Sequence, residues 1–262
     1  MPEMSEHDQR EYGQLYTVAK RVLTPLFHFG WRVRVSGLEH VPTDGPAILC
    51  PNHTSVIDSF MMPLVLPRRI TFVGKAEYMD DWKTKFIFPA MGMIPIDRGG
   101  GKAAVRALNT AARVLERGEL FGIYPEGTRS RDGKLHKGHT GAARLSLRTR
   151  APIIPVGMRG TRDIQPPDAK FPKPFKVCSI AFGTPVEPDR YSDREDRLVL
   201  RQMMDEVMFS IRELSGQEYI DDYATKKAEG LPTEVVHIAA PPAPRRSSAD
   251  VLNPTGAIAA AQ

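Results

Sequence analysis

Short apolar runs and stretches with apolar residues every third or fourth position alternate along the chain. The runs at 31–35, 47–50, 70–73, 93–96, 120–124, 153–158 and 176–182 predict strands, most of them bounded by Gly or Pro. Helical spacing fills the gaps: 55–66, the first part of 76–90, and a helix opened by Gly99 to Gly101 and closed by Gly118. On that helix Val105, Leu108, Ala112 and Leu115 are expected to share one face. Two more helices are predicted at 141–148 and from Ser192 to Gly216. In the second, Ser192 and Glu195 read as a capping box, with Leu200, Met204, Val207, Ile211 and Leu214 along one side. Between the last two strands lies a Pro-rich excursion containing Pro166, Pro167, Pro172 and Pro174. Strands alternating with helices predict an α/β fold: a mostly parallel central sheet flanked by helices.

Both ends depart from this rhythm. Residues 11–32 mix Leu15, Tyr16, Val18, Val22, Leu23, Leu26, Phe27, Phe29 and Trp31 with Lys20, Arg21, His28 and Arg32, and Thr24-Pro25 predicts a kink. Such a helix fits the interface plane of an anionic membrane, or equally a place on the core. Beyond about residue 225 periodicity gives way to Ala, Pro and Ser, so a disordered tail is expected. The domain reading is therefore an N-terminal amphipathic segment at 1–32, a domain at 33–215, and a largely disordered tail at 216–262.

Composition narrows the setting. The 262 residues carry a net charge of +5, which favours an anionic partner. The two cysteines, Cys50 and Cys178, each sit in an apolar run and read as reduced core residues. No apolar stretch reaches the about 18 to 20 residues of a spanning helix, and residues 1–10 lack the features of a signal peptide. The expectation is a chain that is soluble or attached to a membrane from one side.

In parallel sheets, sites form where strand ends meet helix starts. Two blocks fall at such junctions. In Asn52-His53-Thr54-Ser55-Val56-Ile57-Asp58-Ser59, an aspartate near the start of a helix can reach back to the histidine before it. A carboxylate on one ring nitrogen fixes the tautomer and stabilises the imidazolium formed at the other, which makes His53 a candidate general base. The same spacing also fits a plain helix cap. In Tyr124-Pro125-Glu126-Gly127-Thr128-Arg129-Ser130, a tight turn combines backbone N–H groups, a hydroxyl and a guanidinium, a set suited to phosphate. Arg98 and Lys75, each after a strand, are further candidate cations at that edge.

Other chemistries fit less well. There is no G-x-S-x-G elbow, no Walker loop, and no G-x-G-x-x-G after a strand. His136 and His139 lack a third metal ligand at useful spacing. The basic run 129–162 has no interleaved aromatics, which argues against a nucleic-acid groove. Most of it reads as a solvated face, with Arg144, Arg148 and Arg150 touching only headgroups or water.

With these residues in view, the chain resembles the glycerolipid acyltransferases, particularly the bacterial 1-acyl-glycerol-3-phosphate acyltransferases. The likeness covers about residues 33–183 in four ordered blocks. His53 to Asp58 looks like the family's H-x-x-x-x-D block, and Gly92 to Arg98 is similar to its second block. Tyr124 to Ser130 resembles the third, with tyrosine where phenylalanine is usual, and Ala151 to Val156 the apolar fourth. Pro95, inside the second block, is a mild departure.

The resemblance implies a glycerol-3-phosphate acyltransferase-like fold. It implies that His53 activates a glycerol hydroxyl, that Asp58 orients His53, and that Arg98, Glu126, Gly127, Thr128 and Arg129 hold the phosphate. The acceptor would be a lysophospholipid, and the donor an acyl thioester on coenzyme A or acyl carrier protein, with no cofactor or metal. The expected product is phosphatidic acid, made at the cytoplasmic face of the cell membrane by a peripheral or monotopic enzyme. An acyltransferase for another acceptor, such as glycerol 3-phosphate or a glycolipid, and an inactive binder of anionic membranes are the alternatives.

Overall fold

The computed structural model describes residues 20–25, 27–75, 93–96, 103–167, 169, 171–191 and 196–224. All of them belong to one unit spanning 1–226. Its strands are β1 (Arg32–Ser36), β2 (Ala47–Pro51), β3 (Ile70–Lys75), β4 (Met93–Ile96), β5 (Leu120–Gly122), β6 (Leu135–His136), β7 (Ile153–Arg159), β8 (Val177–Phe182) and β9 (Tyr219–Ile220). The helices are α1 (Asp58–Val65), α2 (Ala103–Glu116), α3 (Gly141–Thr149), the single turn α4 (Thr161–Ile164) and α5 (Arg197–Ser215).

A seven-stranded sheet has the order β1-β8-β7-β2-β5-β3-β4. All neighbours are parallel except β7 and β8. The mostly parallel sheet expected from the sequence is therefore present, with β1 and β8 as a reversed pair at one side. Central β2 is buried along its whole length, because helices cover both faces of the sheet. Its residues divide by parity: Ile48 and Cys50 pack with α2, α3 and α5, while Ala47 and Leu49 pack with α1 and Phe27. Both cysteines are buried free thiols, as expected. Helix α5 lies so close to β7 that a Cβ on Gly157 would meet the Leu214 Cβ at 2.4 Å.

Several boundaries differ from the sequence reading. Helix α1 starts at Asp58 rather than Ser55, because residues 54–57 form a turn organised by the Asp58 side chain. On α2, Val105 is exposed, and the buried stripe is Ala111, Ala112, Val114 and Leu115, with Leu108 packed beside it. Helix α5 is capped by Asp196, whose side chain accepts the Leu198 N–H, and Ser192 and Glu195 lie outside the described residues. Pro95 falls in β4, which is the end strand of the sheet among the described residues, the place where a proline is tolerated. The expected helix within 76–90 is also outside the described residues.

The segment after α5 is ordered further than the domain reading expects. Strand β9 pairs with β6, Lys134 meets Glu218 at 2.9 Å, and Lys137 meets Asp221 at 2.8 Å. Residues 216–224 thus strap the loop that follows Ser130, and part of the basic run serves that strap. Nor do Arg148 and Arg150 touch only headgroups or water. Arg148 donates to Asn109 Oδ1 at 2.7 Å, and Arg150 to Asp189 Oδ1 at 3.3 Å. No helix among the described residues is long and apolar enough to cross a membrane.

Candidate active site

Strands β2, β5 and β3 all end at one edge of the sheet. At the end of β2, the Asn52 side chain takes over pairing with β7. It accepts the Met158 N–H at 2.7 Å and donates to the Met158 carbonyl at 3.0 Å. The same amide donates to Gln217 Oε1 at 2.7 Å. The turn after it carries His53. Asp58, fully buried on the first turn of α1, points back over this turn, as side chains on a helix do.

One carboxylate oxygen of Asp58 accepts His53 Nδ1–H at 3.0 Å and the N–H groups of Thr54 and Ser55 at 2.8 Å each. Of the two alternatives left open by spacing, the helix has no side-chain cap, and Asp58 instead holds the histidine and the turn that carries it. With Nδ1 committed to Asp58, Nε2 is the nitrogen left to take a proton. The imidazole is 15% exposed, enough to meet a substrate and little enough to be held. Its face stacks on the Tyr124 ring, with centroids 3.8 Å apart and planes 16° from parallel. The Tyr124 hydroxyl pairs with Ser59 Oγ at 2.8 Å. Burial, and then the negative charge of Asp58, raise the Tyr124 pKa well above its usual value, so the phenol stays neutral.

The glutamate block lies directly against this loop. The Ser130 N–H donates to the His53 carbonyl at 2.7 Å, so the arginine turn and the histidine are neighbours. Glu126 is buried, and both of its carboxylate oxygens face inward. Oε1 accepts the His53 N–H and Oε2 the His136 N–H, each at 3.0 Å. Burial raises its pKa to about 7, against the opposing pull of those two N–H groups. The resemblance implied that Glu126 holds the phosphate; here both of its oxygens are committed to backbone N–H groups, so it ties the His53 loop to the backbone at His136.

Gly127 has φ 72, and a Cβ there would come within 3.1 Å of His139 Cδ2. Thr128 makes no hydrogen bond among the described residues, and Arg129 makes one at 3.4 Å to the Pro167 carbonyl. Lys75 ends β3 at the same edge, in register with Ile96, and Arg98 lies outside the described residues. His136 Nε2 pairs with Asp132 Oδ1 at 3.1 Å, and His139 stacks on Tyr223. Each of the two histidines has its own partner. Asn52, Ser59, Tyr124 and Gln217 support the site without having been singled out from the sequence. Adjacency to the two blocks points to Asn52, Ser59 and Tyr124, whereas nothing local marks Gln217.

Comparison with known proteins places the chain among acyltransferases. Residues 32–159 match the family model described as Acyltransferase. A 1-acyl-sn-glycerol-3-phosphate acyltransferase of Arabidopsis thaliana chloroplasts is 29% identical over 137 residues, covering 52% of this chain and 38% of that one. The alpha form of the same enzyme from Mus musculus is 29% identical over 163 residues, 62% of this chain and 57% of that one. The crystal structure of the 1-acyl-sn-glycerophosphate acyltransferase of Thermotoga maritima superposes with a TM-score of 0.60 at 25% identity, covering 81% of this chain and 83% of that one. Over residues 32–159, just under half of its length, the chain is of the acyltransferase family. It spans about half the length of the curated relatives it matches.

Proposed function

We propose that the chain transfers a fatty acyl group from a thioester to the sn-2 hydroxyl of 1-acyl-glycerol 3-phosphate, giving phosphatidic acid. The observation that carries this reading is the His53–Asp58 pair, at 3.0 Å, set beside the turn that carries Arg129. His53 Nε2 takes the hydroxyl proton as the oxygen attacks the thioester carbonyl. The tetrahedral adduct collapses by breaking its C–S bond, and the imidazolium returns the proton to the leaving thiolate. Asp58 stabilises the imidazolium between these steps. Thr128 and Arg129, with the backbone of Gly127, hold the acceptor's phosphate, and Arg98 and Lys75 are further cations for it. The donor is an acyl thioester of coenzyme A or acyl carrier protein, and the chemistry calls for no cofactor.

Names of the relatives support the acceptor: those aligned here are enzymes acting on 1-acyl-sn-glycerol 3-phosphate. The reading also includes a one-sided contact of segment 1–32 with an anionic membrane, on its cytoplasmic face. Among the described residues of that segment, Val22 and Phe29 expose apolar side chains beside Arg21 and His28. Incubating purified protein with radiolabelled acyl-coenzyme A or acyl carrier protein and a panel of acceptors tests it. Labelled phosphatidic acid is expected from 1-acyl-glycerol 3-phosphate. Label appearing only on glycerol 3-phosphate or a glycolipid would move the chain to another acceptor, and no label on any would end the reading.

A further inference from the structure

The excursion between β7 and β8 takes no part in the chemistry above, yet it lies at the same edge of the sheet. Because β8 runs antiparallel to β7, the chain leaves β7 and enters β8 at the edge where β2 ends. The helical residues 27–30 enter β1 there as well, since Arg32 pairs with Val177. Side chains of the histidine loop reach the excursion: Thr54 Oγ1 lies 3.1 Å from Thr161 Oγ1, and Ser55 Oγ donates to the Gln165 carbonyl at 2.7 Å. At its far end, Trp31 Nε1 donates to the Lys173 carbonyl and the Phe175 N–H to the Gly30 carbonyl, each at 2.7 Å. The excursion and the helix end are thereby one body, attached to the site.

From that body the rings of Phe29, Phe171 and Phe175 project into solvent, 81%, 79% and 71% exposed. Phe29 and Phe175 meet edge to face at 6.5 Å. A single exposed apolar residue needs no explanation, but a group of phenylalanines on one surface does. Phe175 also has φ 60, a region that bulky side chains seldom adopt. Around the rings are the exposed cations Lys173, Lys176 and Arg32. Lys173 and Lys176 line a groove with Arg162, in which Asp163 is the one acid among the described residues. Aromatic rings among cations suit the headgroup boundary of an anionic bilayer.

We propose that Phe171 and Phe175, joined by Phe29, form an anchor that enters an anionic bilayer, with Lys173 and Lys176 on its phosphates. This rests on a lysophospholipid being the acceptor, and it adds a contact on the folded domain to that of segment 1–32. Placed at the edge where His53 opens, the anchor holds the mouth of the site against the source of its lipid.

Vesicle sedimentation tests the proposal, using mixed phosphatidylglycerol–phosphatidylcholine vesicles and vesicles of phosphatidylcholine alone. Phe171→Ser with Phe175→Ser should weaken partitioning on the order of tenfold, from lost apolar burial. Lys173→Glu with Lys176→Glu should weaken binding to the anionic vesicles by roughly tenfold or more and barely affect the neutral ones. The phenylalanine variant should keep wild-type turnover on a short-chain acceptor that is monomeric in solution. Wild-type pelleting by the phenylalanine variant would overturn the proposal. So would a wild-type dimer that this change disperses without altering vesicle binding, which would make a second copy the occupant. Phenylalanine-dependent vesicle binding by a wild type that transfers no acyl group would uphold the anchor and sink the acyltransferase reading instead.

Discussion

The loop carrying His53 and the turn carrying Arg129 lie side by side, but they are held to different degrees. His53 is gripped through its N–H by Glu126, through its carbonyl by Ser130, through Nδ1 by Asp58, and across its ring face by Tyr124. Among the described residues, Arg129 has one long bond, to a carbonyl on the excursion. A base that misses its proton by an ångström loses most of its effect, so its loop must be rigid before substrate arrives. A cation that recognises a mobile lipid headgroup gains from adapting to it, and the phosphate itself completes its bonding.

Breaking the rigid half should have the largest effect. His53→Ala should lower kcat by about 10² to 10⁴-fold and leave the thermal midpoint nearly unchanged, as steady-state kinetics beside a melting curve would show. A variant within tenfold of wild type would remove His53 from the chemistry. Asp58→Asn keeps an acceptor oxygen but loses the charge facing the imidazolium. Its kcat should fall by about 10²-fold or more, with acceptor KM little moved.

Glu126→Gln sharpens the comparison, because it separates a clamp from a phosphate ligand. An amide must turn its NH2 toward one of two backbone N–H donors, so the His53 loop loosens and kcat should fall roughly tenfold, with a smaller change in KM. A ligand role predicts the reverse split. Stability gives a second readout. The folded state holds the Glu126 proton up to about pH 7, whereas an unfolded glutamate releases it near its ordinary value of about 4.3. Wild type should therefore lose stability relative to Glu126→Gln as pH rises from about 4.3 to about 7, and lose nothing further above that. Denaturant melts across this range would show it, and a flat difference would argue against a buried proton.

On the adaptable side, Arg129→Ala should raise acceptor KM by about tenfold, with a smaller loss in kcat. The effect should vanish with an acceptor that lacks phosphate. Smallest of all, Tyr124→Phe removes the bond to Ser59 and keeps the stacked ring, costing about 1 kcal/mol of stability and little activity. A large loss of turnover there would give the phenol a role beyond supporting the imidazole.

The parts of the molecule legible from sequence are those governed by local spacing. Strand and helix order followed from hydrophobic periodicity, because each element buries a face whose period its backbone sets. Asp58 could be paired with His53 from five positions away because a helix start directs side chains backward. Where the partner is distant in sequence, spacing is silent. The phosphate role of Glu126 came only from the family resemblance, and its burial against the backbone of His53 and His136 is not encoded in any local spacing.

The order of elements, the mostly parallel sheet and the His53–Asp58 pair were thus determined by the sequence alone, since each depends on residues within a turn or a run of one another. Only the tertiary structure decided that Glu126 turns inward to the backbone of His53 and His136, that residues 216–224 strap the site loop through Gln217 and β9, and that Phe29 meets Phe175 of the excursion at the catalytic edge. Those outcomes depend on strand pairing. The antiparallel turn of β8 against β7 brings the excursion back beside the histidine, and no local pattern of residues encodes where a strand will find its neighbour.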